Sequence, residues 1–151
     1  MEPLLHLDYE IDVEKLLETA RSVRAEATTY GDSRYPDRKF DGWHIKHYND
    51  EYIQKVMDDF GIKGKPRFMW LEPFEVIPRH IDNGTLCSLN FVLSENPAPI
   101  TIEGKDYFYR AALLNTQAYH SVANNEHERV LFKVSIFDTS FEQLAKKLSL
   151  T

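Results

Sequence analysis

The chemistry in this chain concentrates on four side chains: His80 and Asp82, one residue apart, then His120, then Arg129. His80-Ile81-Asp82 lies in a stretch that reads as extended. Alternate side chains of a strand share a face, so this imidazole and this carboxylate point the same way. Two imidazoles and one carboxylate form a three-donor face with coordination positions left open, a set that suits Fe(II). An arginine close by offers a planar fork of donors to a carboxylate.

Taken singly, each residue has a plainer reading. His80 with Asp82 could be a structural pair, His120 a core histidine and Arg129 a solvated strand residue. Their order along consecutive strands favours the metal. Lys133 is the alternative cation to Arg129. Cys87, flanked by apolar neighbours, reads as an inert core thiol. His44 and His47 lack an evident carboxylate or cysteine partner and read as ordinary histidines. Arg34, Arg38 and Lys39, with Tyr30, Tyr35 and Phe40, read as a solvated loop, or functionally as a lid.

The elements that must position these groups fall into two halves. Residues 12–27 read as a helix capped by Asp12, with Leu16, Leu17, Ala20 and Val23 on one stripe. Residues 30–42 read as a loop broken by Gly and Pro. A second helix, 50–60, stops at Gly61. From residue 66 the pattern changes to about eight short strands divided by turn signals such as Asn83-Gly84 and Glu103-Gly104. A closing helix fits 140–149. Helices followed by strands spaced by turns imply a β-sandwich or barrel with helices on one side.

Two strands carry the most information. In 86–93, Cys87, Leu89, Phe91 and Leu93 share one face, and Ser88 and Asn90 lie on the other. In 129–137, Val130, Phe132, Val134 and Ile136 share one face, and Arg129, Lys133 and Ser135 lie on the other. The apolar faces are expected under the helices. The mixed faces keep Leu and Val among their polar groups, which places them in a cavity rather than in water. Arg129, Ser88, Asn90, Lys133 and Ser135 are therefore candidate cavity residues.

Length and composition set the frame. At 151 residues the chain reads as one domain, 1–151, with helices over residues 1–62 and a β core over residues 66–138. The net charge of -6 argues against nucleic acid or an anionic membrane as partner. No apolar run is long enough to span a bilayer. One cysteine excludes an internal disulfide and fits a reducing, cytoplasmic setting. Oligomeric state is not legible.

The segments 77–82, 114–124 and 128–131 together resemble the Fe(II)- and 2-oxoglutarate-dependent dioxygenases, and within them the aspartyl/asparaginyl β-hydroxylase-like group. The resemblance implies a double-stranded β-helix, a cupin-like jelly roll, in an α+β chain that is mainly β with N-terminal helices. It implies His80, Asp82 and His120 as catalytic iron ligands and Arg129 as anchor of the distal carboxylate of 2-oxoglutarate. Ser88, Asn90 and Ser135 would line the co-substrate pocket, with a hydroxyl from Ser135, Thr116 or Tyr109 adding a hydrogen bond. O2 would be the oxidant, and a peptide or small molecule the substrate. The strand after the first histidine lacks the arginine found in the β-hydroxylases, so the cofactor chemistry transfers better than the substrate. The competing readings are a cupin-type metalloenzyme without 2-oxoglutarate and a non-catalytic ligand-binding jelly roll.

Overall fold

Each helix is marked by its cap and by a single apolar stripe. In the computed structural model, which describes residues 2–31 and 39–150, α1 spans Val13–Val23. The Asp12 carboxylate accepts from the Lys15 amide at 3.0 Å. Leu16, Ala20 and Val23 form the buried stripe, and one 3-10 turn, Arg24–Glu26, follows. α2, Glu51–Phe60, is capped by Asp50 and ended by Gly61 at φ 65, a left-handed conformation that glycine takes without cost. α3, Phe141–Ser149, opens on a capping box of Ser140 and Gln143.

Eleven strands complete the described chain: β1 Leu4–His6, β2 Thr28–Gly31, β3 Lys39–His47, β4 Lys65–Leu71, β5 Val76–His80, β6 Cys87–Val92, β7 Ile100–Ile102, β8 Lys105–Tyr107, β9 Ala111–Leu114, β10 His120–Ala123 and β11 Arg129–Ile136. They form a seven-stranded sheet, β1-β9-β6-β11-β4-β3-β2, and a four-stranded sheet, β5-β10-β7-β8. All pairings are antiparallel. This is the expected α+β jelly roll, a double-stranded β-helix.

The two faces of the large sheet divide as their residue types require. Leu89, Phe91, Phe132, Val134 and Ile136 join Leu16, Ile53, Val56, Phe60 and Leu144 of the helices in one core. Phe132 stacks near Phe91, with ring centroids 5.9 Å apart, and meets Phe68 at 5.7 Å. A second cluster, including Trp43, Met69, Ile100, Ile102, Val122 and Leu131, fills the space between the sheets. Among the described residues, no helix is long and apolar enough to cross a membrane.

Two local readings need correction. The N-terminal region also holds strands, because β1 pairs with β9 and β2 pairs with β3. The span 30–42, read as a loop, includes the end of β2 and the start of β3; residues 32–38, and the lid reading that rests on them, lie outside the described residues. Gly42 is a close-approach position within β3, where an added Cβ would collide with the Glu75 side chain. Trp70 belongs to the helix-side core, and Trp43 lines the cavity.

Candidate metal centre

Strand pairing builds the site. β5 and β10 are neighbours, and His80 is the direct cross-strand partner of His120. Side chains at such paired positions lie side by side, and the two imidazole centroids are 4.3 Å apart. Asp82 follows the end of β5. Its amide donates to the Thr116 carbonyl at 3.0 Å, and its carbonyl accepts from Gln117 Nε2 at 2.9 Å. Those bonds tie the segment to the loop before β10, which brings the carboxylate back to the histidines.

The donor atoms converge. Asp82 Oδ1 lies 3.2 Å from His80 Nε2 and 3.3 Å from His120 Nε2. One ligand atom from each of the three residues falls within 4.8 Å of the other two. Each Nδ1 makes its own backbone contact, His80 to the Pro78 carbonyl at 2.7 Å and His120 to the Ala118 carbonyl at 2.8 Å. Donation from Nδ1 to a carbonyl turns each ring so that its Nε2 faces the shared point, where it meets the Asp82 carboxylate and where a metal would bind. By donor type and convergence the three residues fit a divalent metal.

Lys133 completes the electrostatics. It points inward from β11, with Nζ 3.2 Å from Asp82 Oδ2, the oxygen the histidines do not use. Burial alone would push the Asp82 pKa up. The Lys133 ammonium and hydrogen bonds from His120 and His80 outweigh it and hold the carboxyl well below the usual range. The carboxylate is therefore ionised without a metal. Burial pulls the Lys133 pKa down, against the pull of Asp82.

A cavity of about 430 Å³ opens beside these groups. Arg129 is 5 % exposed and lines it; Nη1 donates to the Ala98 carbonyl at 2.7 Å, and Nη2 lies 3.4 Å from the Tyr109 hydroxyl. Asn90 lines the same cavity and donates to the Tyr109 hydroxyl at 3.2 Å. Ser88 does not reach the cavity lining; its hydroxyl donates to Asn90 Oδ1 at 2.7 Å and so orients that amide from behind. Ser135 lines the cavity, and its buried hydroxyl has no hydrogen-bond partner. Thr116, read as a hydroxyl donor to the pocket, instead donates to the Thr85 carbonyl at 2.8 Å.

Inward alternation along β11 selects Arg129, Lys133 and Ser135 from sequence. It does not reveal that Lys133 meets Asp82, because that contact crosses from one sheet to the other. Gln117 and Trp43 were missed as site residues. The Trp43 ring is 6.4 Å from that of His80, yet no local pattern in the sequence marks it as facing the site. His44 and His47 do not form a second metal pair: His44 bonds Glu72 at 2.7 Å, and His47 lines the cavity.

No protein-family model matches the sequence, and no curated protein matches it. Solved structures do match. A prolyl hydroxylase from Trichoplax adhaerens, in complex with a hypoxia inducible factor oxygen degradation domain peptide fragment, aligns with TM-score 0.69 at 16% identity, over 98% of this chain and 86% of that one. A Pseudomonas putida prolyl-4-hydroxylase aligns with TM-score 0.66 at 17% identity, over 88% and 91%. SnoN, a non-heme alpha ketoglutarate dependent epimerase from nogalamycin biosynthesis, aligns with TM-score 0.67 at 12% identity, over 91% and 77%. At these identities the likeness concerns architecture: this chain has the fold of the 2-oxoglutarate–Fe(II) oxygenases.

Proposed function

We propose that the protein is an Fe(II)- and 2-oxoglutarate-dependent oxygenase that hydroxylates a C–H bond of a peptide side chain, an amino acid or a small metabolite. The observation that carries this reading is the convergence of His80 Nε2, His120 Nε2 and Asp82 Oδ1 on a cavity that also holds the buried Arg129 guanidinium. The shared fold supports it.

His80, Asp82 and His120 hold the metal. When bound, Fe(II) with 2-oxoglutarate and O2 supplies the oxidising power, yielding succinate, CO2 and a hydroxylated product. The chain's own residues bind, orient and shield. Arg129 takes the distal carboxylate of 2-oxoglutarate. A guanidinium has five N–H donors, so its contacts to Ala98 and Tyr109 leave capacity for a carboxylate. Asn90, itself aligned by Ser88, fixes the Tyr109 hydroxyl that helps hold the guanidinium in place. Lys133 keeps Asp82 ionised and fixes its second oxygen. Ile77, Ile100, Val122 and Leu131 give the cavity apolar walls that limit water.

Placement near the aspartyl/asparaginyl β-hydroxylase-like group rests on the segments 77–82 and 114–124. Residues 1–151 act as one oxygenase domain, and the single cysteine supports a cytoplasmic setting. A peptide substrate is supported by the peptide held by the Trichoplax adhaerens neighbour. The test is succinate formation from 2-oxoglutarate under air, with and without Fe(II). The expected result is Fe(II)-dependent succinate that disappears in His80→Ala. An equal rate in His80→Ala would contradict the reading.

A further inference from the structure

One wall of the cavity is built in a simple order. Arg129, Leu131 and Lys133 follow one another along the inward face of β11, and all three line the space. They are buried, at 5%, 9% and 8% exposure. The order of groups is cation, apolar, cation. The two charged positions stand about 13 Å apart on the strand at the usual rise per residue, and both side chains are long. The metal ligands lie at the Lys133 end, where Nζ meets Asp82 Oδ2 at 3.2 Å. At the other end Arg129 is held by the Ala98 carbonyl and the Tyr109 hydroxyl.

Lys133 has donors to spare. An ammonium carries three N–H groups. Among the described residues this one hydrogen-bonds to Asp82 alone, which leaves two. A buried donor without an acceptor is costly. The charge balance points the same way. In the metal-free protein the Asp82 carboxylate offsets the ammonium. Once His80, Asp82 and His120 hold a divalent ion, that carboxylate is shared between two cations. A buried charge needs a counter-charge, and the further anion at this point must come from a ligand.

We propose that Lys133 is the second anchor of the co-substrate: it donates to the carboxylate beside the 2-oxo carbon, while Arg129 takes the distal one. The inference rests on the oxygenase reading and adds to it the residue that recognises the metal-side end of 2-oxoglutarate. That molecule carries its groups in the order of the strand, with a 2-oxo carboxylate at one end, two methylenes in the middle and a second carboxylate at the other end. Lys133 then serves two carboxylates at once, Asp82 Oδ2 and the ligand's, each through a charge-assisted hydrogen bond. Leu131 lies between the two cations on the strand and offers the methylenes an apolar surface. A ligand lacking either carboxylate leaves one buried cation short of a partner, so the wall selects a 2-oxo diacid.

The test uses the full chain loaded with Zn(II), which occupies the metal ligands without oxygen chemistry. Lysine Nζ atoms are labelled with nitrogen-15, and 2-oxoglutarate carries carbon-13 at either its C1 or its C5 carboxylate. Rotational-echo double-resonance NMR of the frozen complex then reads carbon–nitrogen distances. C1 should be dephased to a distance of about 4 Å or less, the reach of a charge-assisted hydrogen bond, and C5 should be dephased far less. Lys133→Met should abolish the C1 effect and weaken 2-oxoglutarate binding about tenfold or more at saturating Zn(II), as expected for a lost hydrogen bond between charged groups. Lys65, another lysine of the lining, is exposed; Lys65→Met should keep the C1 effect. The wild-type distance decides the matter even where Lys133→Met fails to fold. Absence of C1 dephasing in the wild type, its survival in Lys133→Met or its loss in Lys65→Met overturns the proposal. Titration of the Zn(II)-loaded wild type with 2-oxoglutarate comes first, so the two failures separate. No co-substrate binding defeats the oxygenase reading and this inference together; binding without C1 dephasing defeats the inference alone.

Discussion

Lys133 Nζ sits 3.2 Å from Asp82 Oδ2, on the carboxylate oxygen that the two histidines leave free. Both side chains are nearly buried, at 10% and 13% exposure. In the metal-free protein this ammonium is the main counter-charge to the carboxylate.

Removing that ammonium should therefore cost most when the metal is absent. Breaking a buried ion pair by deleting one partner costs about 3–5 kcal/mol. Lys133→Met is expected to lower the Tm of metal-free protein by roughly 6–20 °C for a domain of this size. Mn(II) should raise the variant's Tm by more than it raises the wild type's, since the metal then serves as the missing positive charge. Thermal unfolding with and without Mn(II) checks this; equal metal-induced increments in both proteins would count against it.

Arg129 should act on the co-substrate and not on the metal. Arg129→Gln is expected to weaken 2-oxoglutarate binding about 100-fold or more, the equivalent of losing a buried charge partner. Mn(II) affinity should change little, because the guanidinium contacts Ala98 and Tyr109 and none of the three metal-facing residues. Calorimetric titration of each ligand separates the effects. Parallel loss of both would remove Arg129 from its assigned role.

Phe132 tests the helix-side core. It is fully buried and packs against Phe68 and Phe91. Phe132→Ala should destabilise the protein by about 3–5 kcal/mol, the usual cost of emptying a large aromatic site. Urea unfolding measures this. A loss under about 1 kcal/mol, ordinary for a surface position, would show that the sheet face is not packed as described.

Cys87 gives a pH prediction. Burial, and then the Asp138 and Glu142 charges, push its thiol from 9.0 up to about 12. Above pH 9 the unfolded chain gives up this proton while the folded chain keeps it. The unfolded state then binds fewer protons, so stability falls as pH rises from about 9 to about 12. Cys87→Ala should show a shallower decline over that window, read from urea midpoints. The folded thiol should also react slowly with an aromatic disulfide reagent at pH 8 and rapidly once unfolded. Fast reaction in the folded state would place the thiol elsewhere.

Much of this architecture is legible in local pattern, and the exceptions share a cause. The faces of β6 and β11 follow from strict alternation, which puts Phe132 and Leu89 under the helices and Arg129, Lys133 and Ser135 in the cavity. The caps of α1 and α2 follow from Asp12 and Asp50. β3 is hidden because Gly42 and the polar residues around it imitate a loop, whereas the strand is held by pairing with β4. The His80, Asp82 and His120 convergence is readable from type and order. The Lys133–Asp82 pair and the Gln117 tether are not, since each depends on how two distant segments meet.

The most direct measurement is the visible absorption of the protein mixed anaerobically with Fe(II) and 2-oxoglutarate. The account predicts a weak metal-to-ligand charge-transfer band that needs both additions and is lost in His120→Ala. Absence of the band in the wild type, or its persistence unchanged in His120→Ala, would contradict the assignment of His80, Asp82 and His120 as the iron ligands.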